Sequence, residues 1–150
     1  MLDSILFLPA DGPAPPLPAD MNLDGPRTGR ARPRVLVVDD EPLIAQTVTA
    51  ILNANGFEAI EATSAEVALQ VAGKFRPDIV LSDVLMPRMT GVDLGVRLRH
   101  ELPQTRVLLF SGQAATSELM RKAEAQGYRF ELFPKPIHPD ELIARLRGIM

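Results

Sequence analysis

The sequence predicts an α/β fold in which a parallel sheet is covered by helices on both faces. Three observations predict it. Short apolar runs without polar alternation recur from residue 34 onward, as expected of strands buried on both faces. Stretches with helical spacing of apolar residues separate these runs. Several runs also end abruptly in an acid, a hydroxyl or a lysine. In an open α/β sheet, that is the edge where ligands bind.

The first run, Val35-Leu36-Val37-Val38, leads directly into Asp39-Asp40-Glu41. Taken alone, the two aspartates would read as a helix cap. Pro42 suits the opening turn of the following helix. Leu43, Ile44, Val48, Ile51 and Leu52 then recur at helical spacing, and Asn55-Gly56 supplies the stop. Phe57 to Glu61 reads as a short second strand. Thr63 and Glu66 form a capping-box pattern that opens a helix through Val67, Leu69 and Val71 to Gly73. The third strand, Asp78-Ile79-Val80-Leu81-Ser82, ends in Asp83. Pro87 and Gly91 mark a loop, and Thr90 caps a helix that runs to about Glu101, before Pro103.

Arg106 to Phe110 is the fourth strand, ending at Ser111-Gly112, and a helix follows from about Ala114 to Gln126. Phe130 to Phe133 is a short fifth strand ending at Pro134-Lys135-Pro136. The last helix opens near Pro139, with Asp140 and Glu141 in its first turn and Arg145 and Arg147 in its last. That charge order complements the helix dipole.

Composition supports one domain and a tail. Apolar residues make up 46% of the chain, enough for a core, and the net charge of −3 gives no nucleic-acid footprint. The absence of cysteine excludes disulfides and thiolate metal sites. Half of the 14 prolines fall in residues 1–33, which read as a flexible, partly polyproline-like tail preceding a domain at 34–150. The apolar cluster Ile5-Leu6-Phe7-Leu8 is too short for a signal peptide and has Asp3, not a basic residue, in front. A cytoplasmic protein without a membrane segment is expected.

The strand ends bring Asp39, Asp40, Asp83, Ser111 and Lys135 to one edge, because right-handed crossovers place all carboxyl ends together. Three carboxylates raise one another's pKa unless something compensates them. A hard divalent cation such as Mg²⁺ does so with oxygen ligands. Lys135 adds a compact positive charge and Ser111 a hydroxyl donor. A carboxylate nucleophile, Mg²⁺, a lysine and a hydroxyl are the parts needed for phosphoryl transfer to an aspartate. His100 and His138 have no partners at metal-ligand spacing and read as helix-end residues.

Residues 34–150 resemble the receiver domain of two-component response regulators. The resemblance is carried by Val37-Val38-Asp39-Asp40, by Asp83 through Gly91 with Pro87 between them, by Ser111-Gly112 and by Lys135-Pro136. It implies a flavodoxin-like, doubly wound five-stranded parallel sheet, order 2-1-3-4-5, with five helices. It further implies that Asp83 accepts a phosphoryl group from a histidine kinase or phosphotransfer protein. Asp39 and Asp40 would help bind Mg²⁺, with Asp40, Asp83 and the Leu85 backbone carbonyl as ligands. Ser111 would bond the phosphoryl oxygen, Lys135 would pair with its charge, and the Lys135–Pro136 peptide would be cis. Catalysis would be limited to the domain's own phosphorylation and dephosphorylation.

Three positions depart from the family pattern. Leu132 stands where the family often has an aromatic switch residue, although Tyr128, Phe130 and Phe133 are close in sequence. Leu85 and Gln113 occupy positions that tune phosphoryl lifetime, and Pro134 directly precedes the lysine. The chain ends at Met150, just after the fifth helix, so a single-domain regulator acting on a protein target, as monomer or weak dimer and without nucleic acid, is expected. Two competing readings are a phosphohydrolase of the haloacid dehalogenase type and a receiver that binds without phosphorylation. The first needs Asp-x-Asp after its first strand, whereas this chain has adjacent aspartates.

Overall fold

The apolar runs form the centre of a five-stranded parallel sheet in the order β2-β1-β3-β4-β5. The computed structural model describes residues 32–112 and 116–149. Its strands are β1 (Arg34–Val38), β2 (Glu58–Ala62), β3 (Ile79–Asp83), β4 (Arg106–Ser111) and β5 (Glu131–Pro134). They alternate with α1 (Pro42–Ala54), α2 (Ala65–Phe75), α3 (Gly91–Glu101), α4 (Thr116–Ala125) and α5 (Pro139–Gly148). This is the predicted topology. Gln113 and nearly all of the expected tail lie outside the described residues, whereas Arg32 and Pro33 are placed against the domain. Arg32 donates to the Asn53 and Phe57 carbonyls at 2.9 and 2.7 Å, and the Pro33 carbonyl accepts from Glu58 N at 2.8 Å.

Strand alternation divides the core into two layers. Leu36, Ile60, Val80, Val107 and Leu109 face α2, α3 and α4, whereas Val35, Val37, Leu81 and Phe133 face α1 and α5. In β1, both sets are buried, which explains a run with no polar alternation. Each fully buried Val, Leu or Phe of this kind contributes about 1.5–3 kcal/mol. No helix among the described residues is long and apolar enough to cross a membrane.

The differences from the expected boundaries have local causes. The cap of α2 is Ser64, not Thr63: its hydroxyl accepts from Val67 N at 3.1 Å, so the helix starts one residue later than the capping-box reading gives. It also passes Gly73 and ends at Phe75, where Arg76 takes the left-handed conformation that closes the helix. Thr90 caps α3 as predicted, in a complete capping box with Asp93. β1 gains Arg34, which is 1% exposed. Its guanidinium donates to the Phe75 carbonyl at 3.2 Å, and its backbone N donates to Asp78 Oδ2 at 2.8 Å. A buried charge held this way stitches the amino end of β1 to the start of β3.

Candidate phosphoacceptor site

The winding of the sheet reverses between β1 and β3, and both strands end in acids at that point. In sheets of this type, the crevice outside such a switch point is the usual binding position. Asp39 follows β1 in extended register, its N–H donating to the Ala62 carbonyl at 3.2 Å. Its Oδ1 accepts from Glu41 N at 2.9 Å and fixes the turn into α1. Asp83 closes β3 and is partly buried, while Asp40 is exposed. One oxygen from each of Asp39, Asp40 and Asp83 lies within 4.8 Å of the others.

Lys135 reaches this cluster from the end of β5. Its ammonium lies 3.2 Å from Asp83 Oδ1 and 3.3 Å from Asp39 Oδ2. The Lys135–Pro136 peptide is cis, as the resemblance implies. Lys135 N donates to the Ser111 carbonyl at 3.1 Å, which ties the ends of β4 and β5 together. Ser111 is buried at the end of β4, one residue beyond the partner of Asp83 in the β3–β4 register. The edge thus brings together all five predicted side chains, with Leu85 two residues past Asp83.

Burial pushes the Asp83 carboxyl above its ordinary value; Lys135 draws it back down, while Asp39 and Asp40 push it further up. The lysine responds in the opposite sense. Burial alone would lower it, but Asp39 and Asp83 hold the ammonium above its usual range. Three acids therefore share one positive charge. A hard cation fits this donor set: it would neutralise the excess charge and find carboxylate oxygens already converged on one point.

The loop after β3 is held against the site by backbone contacts. Gly91 N donates to the Val84 carbonyl at 2.8 Å, and Val84 N donates to the Phe110 carbonyl at 3.0 Å. A Cβ at Gly91 would lie 2.1 Å from the Asp83 carbonyl oxygen, so only glycine allows α3 to start here. This explains the glycine in the Asp83–Gly91 motif without reference to flexibility.

Two features were not foreseen from the sequence. A groove of about 240 Å³ opens beside Asp39 and Lys135, lined by Ile44, Val48, Pro136, Ile137 and Leu142. Leu43, at 74% exposure, lies on the same helix as Ile44. The clue was an α1 apolar pattern wider than its buried stripe of Ala45, Thr49 and Leu52. The second is Glu61, which is 2% exposed in β2 with one carboxylate oxygen lacking a hydrogen-bond partner. Burial raises it to about 7. Leu132 is 40% exposed, while Phe133 packs edge-on against Phe110 in the core and Tyr128 bonds His100. The nearby aromatics are thus engaged elsewhere.

The response regulator receiver domain family matches residues 35–147. The transcriptional regulatory protein TcrX of Mycobacterium tuberculosis, described as probable, is 35% identical over 116 residues, covering 77% of this chain and 49% of that protein. The DNA-binding response regulator MtrA of Mycolicibacterium smegmatis is 32% identical over 117 residues, covering 78% of this chain and 50% of that protein. The chain thus spans about half the length of the curated relatives it matches. Among solved structures, the Vibrio cholerae chemotaxis protein CheY4 superposes with a TM-score of 0.71 at 30% identity, covering 80% of this chain and all of that one. The chain belongs to the response regulator receiver family.

Proposed function

We propose that this receiver is a phosphorylation-controlled switch whose acceptor is Asp83. The observation that carries the reading is the lysine-bridged cluster, with Lys135 3.2 Å from Asp83 and 3.3 Å from Asp39. An Asp83 oxygen attacks the phosphorus of a phosphohistidine, the P–N bond breaks, and the donor imidazole leaves with the bonding pair. Lys135 keeps the acceptor oriented and then pairs with the added charge, and Ser111 donates its hydroxyl to a phosphoryl oxygen. Asp39, Asp40, Asp83 and the Leu85 carbonyl would hold Mg²⁺, which when bound supplies charge neutralisation to the transferring group.

The donor is a histidine kinase or phosphotransfer protein. The apolar groove with Ile44, Pro136 and Ile137 beside Lys135 supports a protein docking at this edge. The output is a protein partner and not nucleic acid, in keeping with the chain's net charge of −3, and the partner would meet α4, β5 and α5, where Leu132 is exposed. The domain turns over no other substrate, and it works in the cytoplasm as a monomer or weak dimer.

The test is intact mass after incubation with acetyl phosphate and Mg²⁺. Wild type gains one phosphoryl group that disappears when Mg²⁺ is chelated beforehand, and Asp83→Asn gains none. Failure of wild type to gain it from either acetyl phosphate or a cognate kinase overturns the reading. Hydrolysis of a small phosphate ester would point to the phosphohydrolase instead.

A further inference from the structure

The opposite edge of the sheet carries a second concave site. β5 pairs with β4 only from Leu108, which lies opposite Glu131, although β4 begins at Arg106. The start of β4 is therefore uncovered on that side, and a polar cleft of about 380 Å³ opens there. Arg99, Arg106 and Arg129 converge on it from α3, β4 and the α4–β5 connection. A single acid, Glu131, lines it, and that carboxylate lies 3.9 Å from Arg145. The cleft is locally cationic in a chain whose net charge is −3.

The arginines differ in how they are held. Arg99 is set in place: its guanidinium donates to the Arg129 carbonyl at 2.6 Å and lies 4.9 Å over the Phe130 ring. That ring rests on Gly95, where any Cβ would come within 2.8 Å of it, so α3 and Phe130 cannot separate cheaply. Arg129 has only a 4.0 Å approach to Glu124, and Arg106 has no ion pair among the described residues. One oriented guanidinium beside two loosely held, exposed ones is an arrangement suited to bidentate capture of tetrahedral oxyanions. Of the rings nearby, Phe130 carries the Arg99 guanidinium over its face and Tyr128 bonds His100 through its hydroxyl.

We propose that this cleft binds a small oligophosphate anion, with at least two adjacent phosphoryl groups bridging Arg99, Arg106 and Arg129. The site is separate from Asp83 and independent of its phosphorylation. The test is an amide titration of the full ¹⁵N-labelled chain with pyrophosphate in Mg²⁺-free buffer. Saturable shifts are expected in residues 104–108 and 128–131, with a dissociation constant of about 1 mM or tighter. Arg106→Gln/Arg129→Gln, both exposed positions, should weaken binding at least about tenfold, while Asp83→Asn binds as wild type does. ADP serves as a second probe: affinity equal to that of pyrophosphate assigns recognition to the phosphates alone, and tighter binding identifies a nucleotide as their carrier. If the double variant unfolds, Arg106→Gln alone carries the comparison. The proposal is overturned by shifts confined to the Asp39, Asp83 and Lys135 edge, by binding insensitive to the arginine changes, or by equal affinity for a glutamate-rich peptide.

Discussion

Two buried acidic places in this domain are handled in opposite ways. At the carboxyl edge, Asp39 and Asp83 share an ammonium at 3.3 and 3.2 Å. One strand away, Glu61 lies buried with an oxygen that has no partner, and burial alone raises it to about 7. Thr49 of α1 is also buried with an unpartnered hydroxyl. The difference teaches what makes an acid available for chemistry. Strand ends let a lysine from β5 reach acids from β1 and β3, so charge is kept and offered to a ligand. A strand interior offers only desolvation, and there the carboxyl is driven toward neutrality.

The largest expected effect comes from disturbing the geometry of the first place without touching its charges. Gly91→Ala puts a methyl group 2.1 Å from the Asp83 carbonyl oxygen, a backbone atom that cannot swing away. Stability should fall by about 3 kcal/mol by urea unfolding, and the rate of phosphorylation should drop with it. An alanine variant with wild-type stability would mean that the β3–α3 loop does not depend on this close approach.

The second place is tested by removing its acid. Because Glu61 is raised from 4.5 to about 7, the native state holds the proton more tightly than the unfolded chain does. Stability is therefore lost as pH rises through that interval, and the full cost, up to about 3 kcal/mol, is present above it. Glu61→Gln should flatten this slope and be more stable than wild type at pH about 8, by about 2 kcal/mol. Parallel stability profiles of the two proteins between those pH values would refute the account.

Replacing Lys135 by Met makes the first place resemble the second. Asp83 loses the one neighbour that lowers its pKa, so its titration should move further up, as read by carboxyl ¹³C shifts. The variant should lose stability as pH rises past the carboxylate range and regain it on acidification. With Lys135 about a third exposed, the cost should be only about 1 kcal/mol.

The site was more legible than its surroundings because its signals are local. An apolar run ending in Asp39-Asp40, another ending in Asp83, and a Lys135-Pro136 pair each declare a strand terminus, and parallel connectivity then places them together. Glu61 was not legible as a buried acid. It ends the short strand predicted at Phe57–Glu61, whereas the strand runs to Ala62 and α1 covers that face. The arginine cleft was equally invisible, since it depends on β5 starting opposite Leu108, a register that neither strand specifies alone. The burial of Arg34 likewise depends on distant partners, Asp78 and the Phe75 carbonyl, that close around it only in the fold.

The smallest effect separates backbone strain from charge at the loop beside Asp83. Arg88 has φ 69, and Met89 N donates to the Pro87 carbonyl at 2.9 Å, a three-residue turn centred on a left-handed arginine. Its guanidinium stands 3.8 Å from Glu66 with both side chains accessible, a pairing worth well under about 1 kcal/mol. Arg88→Gly loses that pair and gains unfolded-state entropy, yet relieves a strain of about 1 kcal/mol or more. Arg88→Ala loses the same pair and keeps the strain. Glycine should therefore be the more stable of the two variants, by up to about 1 kcal/mol in urea unfolding, with the alanine variant below wild type. Equal stability of the two would place the conformational preference of this loop in its neighbours, Pro87 and the Thr90 cap, and leave Gly91 as its single steric requirement.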